Sequence, residues 1–218
     1  MPSDSDNIPD MSAEPLPPVS GEKALPRWFY PPVDGWYAED LDRLPPEAPR
    51  HIELIDGALV VMAPQTIFHV TVINSLWVSL SMQLDEGLVA TREMTVRLGD
   101  RQRPEPDVLV VKEPAMADLS LTWLDPADVV LAVEVQSPDS EVRDTRRKPQ
   151  LYAEAGIRHF WRVENNEDRA VLWTYNLDPA NKNYMATGRY RDKMKVSEPF
   201  PIEIDVDRLH RPYKFKPS

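Results

Sequence analysis

The 218-residue chain contains no cysteine. That absence excludes a disulfide scaffold, a thiolate zinc site and cysteine nucleophiles, and it fits a reducing, cytoplasmic compartment. Long apolar runs are missing too. Nothing approaches the roughly 18 consecutive apolar residues of a membrane-spanning helix, so no membrane association is expected. The opening residues, MPSDSDNIPDMSAEPLPPVS, have neither the basic start nor the apolar segment of a secretory signal. Positive charge is scarce, with 25 Lys and Arg against 36 Asp and Glu and a formal net charge of −11. That balance argues against a generic nucleic-acid coat, which needs cations facing phosphates. No internal repeat is visible.

What is present is unevenly distributed. Residues 1–50 hold ten acids and four bases, whereas the stretch EVRDTRRKPQLYAEAGIRHFWR carries six bases against three acids. One basic island in an acidic chain permits a phosphate-facing cleft without requiring it. The length suits one domain with a substantial core. Residues 1–25, rich in Pro, Ser and Asp, read as a disordered tail. Residues 26–50 mix aromatics with prolines and read as an ordered arm with a short helical turn near Ala38 to Leu44. The folded domain is expected over residues 51–210, followed by a C-terminal tail at 211–218.

Within that domain, apolar runs on either side of Asp56-Gly57 signal a hairpin. Phe68, Val72, Leu76 and Leu80 recur every four residues, which predicts an amphipathic helix ending at Gly87. Strands are predicted at Leu88 to Arg97, Pro106 to Lys112 and Asp128 to Gln136. A second helix is predicted from Asp139 or Asp144 to Ala155, stopped by Gly156 and kinked or split by Pro149. The remainder reads as strands joined by tight turns, and PFPIEIDVDRLH is expected to close the sheet or form an edge. The fold class is α+β or α/β, a mixed sheet with two main helices.

The chemistry is carried by acids in the wrong place for acids. Six of the seven residues from Val129 to Val135 are apolar; the seventh is Glu134. An unpaired carboxylate in such a strand costs several kcal/mol unless a cation or dense hydrogen bonding compensates. Side chains alternate along a strand, so Glu134 and Gln136 share a face. Asp107, in RPEPDVLVVK, enters a second apolar strand, and Glu53 interrupts a third, HIELIDG. Three such acids suggest convergence on a hard divalent cation, for which oxygen ligands select Mg²⁺ or Mn²⁺. Lys148 and Tyr152 lie four apart on one helix face. If that helix packs back onto the sheet, Lys148 reaches the carboxylates. His69, alone on its helix, reads as structural support, and Tyr152 as packing. Ser137 before Pro138 reads as turn chemistry rather than as a nucleophile.

The order ELIDG, a helix with an early histidine, PDVLVV, and then VEVQSPDSEVRDTRRKPQLYAEAGIRHFWRVE resembles the Uma-type (Uma-two) restriction endonucleases of the PD-(D/E)XK nuclease superfamily. The resemblance covers Arg50 to Leu209 and is most specific between Val133 and Trp161. It implies a restriction-endonuclease-like fold, a mixed β-sheet flanked by helices, with Mg²⁺ (or Mn²⁺) held by the acids. Asp107 matches the superfamily's motif aspartate, Glu134 the acid of its (D/E)XK element, and Glu53 the family's early acid. Two residues after that acid the standard pattern has lysine; here it is Gln136. The lysine is implied to come from the following helix, as Lys148. The resemblance thus implies a metal-dependent endonuclease acting on DNA. Asp107, Glu134 and Glu53 would be its metal residues, the carbonyl near Gln136 would assist, and Lys148 would orient the attacking water. A homodimer would supply two sites for two strands. The competing expectation is a catalytically degenerate nuclease fold that binds nucleic acid or a protein without cutting. A third is an enzyme for some other phosphodiester.

Overall fold

The computed structural model describes residues 25–137 and 143–211. The tail expected at 1–25 lies almost wholly outside them, as do 212–218 of the C-terminal tail and the early helix start at Asp139. The chain divides into two compact units, Met1–Tyr30 and Pro31–Ser218. In the first, a 3-10 turn spans Arg27–Phe29. The second contains all of the elements below, so residues 31–50 of the expected arm belong to the same unit as the main sheet.

In this larger unit a 3-10 helix, Ala38–Arg43, leads to the hairpin of β1 (Ile52–Ile55) and β2 (Ala58–Val61). Asp56 and Gly57 take φ of 53° and 76°. Two consecutive positive φ values match the right-handed twist of the flanking strands, which is why Asp-Gly closes a tight hairpin. Trp36, Ala38 and Leu54 form a small core between the 3-10 helix and the hairpin. Next comes α1 (Ile67–Ser81), whose cap Thr66 accepts the His69 N–H at 3.2 Å. It buries Val72, Leu76 and Leu80, the residues that set its periodicity.

The helix stops short of the expected Gly87. Just past its end, the Gln83 N–H still bonds to Leu80 O at 3.0 Å, while the Gln83 side chain exchanges two hydrogen bonds with the backbone of Glu203, at 2.9 and 3.0 Å. Gly87, with φ of 87°, instead turns the chain into β3 (Leu88–Arg92). The single strand expected from Leu88 to Arg97 is two. Glu93 adopts φ of 56° and breaks the run, so β4 (Thr95–Val96) leaves to pair in parallel with β6 (Trp123–Leu124), beyond β5 (Val108–Lys112).

Then follow β7 (Val129–Val135), a π-helical turn Arg143–Arg147, and α2 (Lys148–Glu154). Pro149 sits in the first turn of α2, where its missing N–H costs nothing, and the preceding turn is irregular as its ring requires. The chain continues through β8 (His159–Asn166), β9 (Arg169–Asp178), β10 (Asn183–Tyr190), β11 (Lys193–Val196) and β12 (Ile202–Asp205).

The main sheet has the order β10-β9-β8-β7-β5-β3. Only β7 and β8 are parallel, joined across α2; the other neighbours are antiparallel. Rather than closing or edging this sheet, β12 pairs with β11 as a separate ribbon whose Met194, Ile202 and Ile204 pack into the core on the α1 side. Val108, Val110, Val133 and Val135 join that same core. Leu109 and Ala132 face the other way, against Tyr152, Ile157 and Phe160 on the α2 side. Strands covered on both faces need apolar residues at every position, which accounts for the continuous runs in the sequence.

Candidate active site

Alternation along β7 carries Glu134 onto the α2 face, where it is 1 % exposed. Its Oε2 accepts a hydrogen bond from Lys148 Nζ at 3.0 Å, and its Oε1 accepts one from the Tyr152 hydroxyl at 2.5 Å. Lys148 and Tyr152 are one helical turn apart on α2, so a single helix face presents both donors. Lys148 is itself buried, and its Nζ lies 2.7 Å from Glu53 Oε1. Glu53 belongs to β1, a strand buried at all four positions. An isolated charge at any of these places would cost several kcal/mol; clustering lets each offset part of its neighbour's desolvation. Glu53 Oε1 also accepts the Glu105 N–H at 2.9 Å, while Glu53 Oε2 is buried with no hydrogen-bond partner.

Asp107 adjoins this network at the end of β7. Val108 is paired with Val133, so Asp107 comes one residue before, and Glu134 one residue after, the same cross-strand pair. The Asp107 Oδ2 accepts the Val135 N–H at 2.6 Å and lies 3.4 Å from His69 Nε2. His69 is 4 % exposed, and its Nδ1 is buried without a partner. Asp107 and His69 line a cleft of about 320 Å³ together with His51, Asn74, Arg92 and Glu105. Arg92 donates to Asn74 Oδ1 in its wall, and His51 Nδ1 meets Glu105 Oε1 at 2.7 Å. Burial pushes the Glu105 carboxyl above its ordinary value, although the hydrogen bond to His51 opposes the rise. The same hydrogen bond pushes the His51 imidazole up. Both groups therefore hold a proton more tightly than in water.

Of the residues singled out in the sequence, Glu53, Glu134 and Lys148 meet in one buried network, and Asp107 joins its edge through the Val135 amide. Gln136 lies just past the end of β7, and its N–H continues the ladder to Val163 O at 2.8 Å. Tyr152 does more than pack, since its hydroxyl holds one oxygen of Glu134. Its spacing from Lys148 carried that signal. The His51–Glu105 contact joins residues 54 apart in sequence, and no local pattern announces it.

Among the described residues no three or more His, Asp and Glu side chains converge as a metal-binding group. Lys148 stands between Glu53 and Glu134 instead. The donor chemistry still fits a hard divalent cation. Mg²⁺ takes oxygen ligands, dehydrates reluctantly, and is commonly held by only one or two carboxylates, with waters and phosphate completing its shell. Asp107 and Glu134 supply such a pair, and the orphaned Glu53 Oε2 is a buried acceptor in need of a partner.

The fold is shared with a solved structure described as a "putative nuclease belonging to DUF820" from Anabaena variabilis, with a TM-score of 0.60 over 79 % of this chain and 96 % of that chain, at 16 % identity. No match is found among the curated proteins. The family model Uma2, described as "Putative restriction endonuclease", matches residues 38–207. The chain belongs to the Uma2 family and shares the fold of that solved structure.

Proposed function

We propose that the protein is a Mg²⁺- or Mn²⁺-dependent endonuclease that hydrolyses DNA phosphodiester bonds. The observation that carries this reading is Lys148, buried yet held at 2.7 Å by Glu53 of the β1–β2 hairpin and at 3.0 Å by Glu134 of the central strand β7, with Asp107 at the start of the neighbouring β5. Glu53 Oε2, buried without a hydrogen-bond partner, leaves an acceptor in this cluster for a cation or a water. Asp107 and Glu134 would hold that cation. Bound there, it supplies charge neutralisation at the phosphate and acidifies water. Lys148, fixed by Glu53 and Glu134, offers an N–H donor to the attacking water or to a phosphate oxygen. Glu53, through Oε2, is placed to accept a hydrogen bond from that water. Tyr152 keeps the Glu134 carboxylate in one orientation. His69 does the same for Asp107.

The experiment is incubation of plasmid, nicked and single-stranded DNA with the protein and Mg²⁺ or Mn²⁺. Nicking or linearisation that vanishes in Glu134→Ala and Lys148→Ala is expected. Cleavage undiminished in both variants would overturn the assignment.

A second reading, a degenerate nuclease fold that binds nucleic acid or a protein partner, draws on Gln136 in place of the strand lysine and on the engagement of Glu134 by Lys148 and Tyr152. Retention of intact DNA in the same assay, with no cleavage in either metal, would favour it. Homodimerisation belongs with the endonuclease reading, because cutting two strands calls for two sites.

A further inference from the structure

We propose that Asp56 and Arg147 are a positioning pair that holds Lys148 in place. The role given to Lys148 rests on the endonuclease reading; the positioning does not. Lys148 lies 14 residues beyond Glu134 and on a different element, so no β-ladder fixes its distance from that acid. A strand lysine two residues after the acid would be placed by the sheet itself. At that position this chain has Gln136, and a helix-borne lysine must be located by tertiary contacts instead.

The residue immediately before Lys148 makes that contact. Arg147 grips the tip of the β1–β2 hairpin: its Nε donates to Asp56 Oδ2 at 2.8 Å, and its terminal nitrogen donates to Asp56 Oδ1. A two-pronged guanidinium–carboxylate pair fixes orientation as well as distance. The hairpin tip is braced in turn. Gln102 Nε2 donates to Asp56 Oδ1 at 2.7 Å, and the Asp56 N–H donates to Gln102 Oε1 at 3.0 Å. The Gly57 N–H is tied to Arg101 O at 3.0 Å.

Three residues before Asp56 on the same hairpin is Glu53, the other anchor of the Lys148 ammonium. Hairpin and helix are therefore joined twice within a few residues, at Asp56–Arg147 outside and at Glu53–Lys148 inside. Arg147 closes the π-helical turn and Lys148 opens the α-helix, so the two side chains leave the backbone where its winding changes. At that change of winding, consecutive residues reach two acids of one hairpin, Asp56 and Glu53. The Arg147 guanidinium also holds the Asp56 carboxyl below the usual aspartate value, so the pair stays ionised through the neutral range.

The test uses the full chain and reads Lys148 directly. Native protein is treated with an amine-acylating ester, and the modification of Lys148 is followed by peptide mass spectrometry. Lys148 is 1 % exposed and should react slowly in the parent. Asp56→Asn, which keeps a residue tolerant of positive φ, and Arg147→Gln should each raise the rate about tenfold through local opening. The exposed Lys112 should be unaffected and the circular dichroism unchanged. The double variant should react no faster than the faster single variant, and Arg147→Lys should fall between parent and Arg147→Gln. Unchanged protection of Lys148 in both single variants, or effects that multiply in the double variant, would overturn the pairing. If the parent cleaves DNA, both variants should lower kcat and leave KM nearly unchanged; a change confined to KM would count against the proposal. If the parent does not cleave, the endonuclease reading falls, and the acylation rates still decide the positioning role.

Discussion

At the scale of single residues, the burial of Lys148 sets what its removal must do. Two carboxylates, 0 % and 1 % exposed, lie 2.7 and 3.0 Å from its ammonium. Lys148→Met deletes the cation and leaves both acids buried without it, so a loss of about 3–5 kcal/mol in urea unfolding is expected. Adding Glu53→Gln and Glu134→Gln to that variant removes the stranded charges and should recover much of the loss. A triple variant no more stable than Lys148→Met would show that the network is not electrostatically coupled. The His51–Glu105 pair makes a second prediction at this scale. Its hydrogen bond raises the imidazole pKa, so the charged form is favoured in the folded protein. A raised folded value means that the stabilisation is complete below the ordinary histidine pKa and fades as pH rises through the folded value. In Glu105→Gln the His51 titration followed by NMR should shift to lower pH. A midpoint that stays where it is in the parent would show that Glu105 is not the cause.

Elements are held in register by contacts distant in sequence, and Arg103 shows how. Its guanidinium is almost fully buried. It donates to Ala38 O at 2.9 Å, to both oxygens of Asp42 at 3.0 and 2.9 Å, and to Thr122 O at 3.1 Å, while its Nε donates to Thr95 Oγ1 at 2.9 Å. One side chain thus ties the 3-10 helix, β4 and the loop before β6 together. Arg103→Ala should cost about 2–4 kcal/mol, discounted for Asp42 being more than a third exposed. A cost below 1 kcal/mol, about that of an ordinary surface pair, would refute the bridging role. Burial alone would raise the Asp42 pKa, but the hydrogen bonds from Arg103 and Thr122 outweigh it and lower the value. The stabilisation from Asp42 is therefore present above the unfolded aspartate pKa and is lost only as pH falls through the lower folded value. Contacts of this kind also explain what the sequence leaves illegible. Strands β5 and β7 could be read because burial on both faces writes itself as an apolar run, and Glu134 could be read because it breaks one. The end of α1 could not be, since the contact of Gln83 just past it is with Glu203, 120 residues later. Nor could the break after β3, where Glu93 takes a left-handed backbone that no local signal demands.

On the scale of the whole molecule, a net charge of −11 opposes the approach of a polyanion, and the candidate site adds buried acids to that balance. The protein is therefore expected to bind DNA weakly in the absence of a divalent cation. A cation held by Asp107 and Glu134 would act on stability before any substrate arrives, because it binds the folded state and not the unfolded chain. Mg²⁺ at 100 times its dissociation constant should add about 2.7 kcal/mol to the unfolding free energy, visible as a rise in Tm. The rise should disappear in Asp107→Asn with Glu134→Gln, which keeps the side-chain shapes and removes the charge. A general ionic effect behaves differently: it raises the Tm of parent and double variant alike, and NaCl of matched ionic strength reproduces it. Equal shifts in parent and variant would therefore remove the metal from the account, while an Mg²⁺-specific shift confined to the parent would assign it to these two strands.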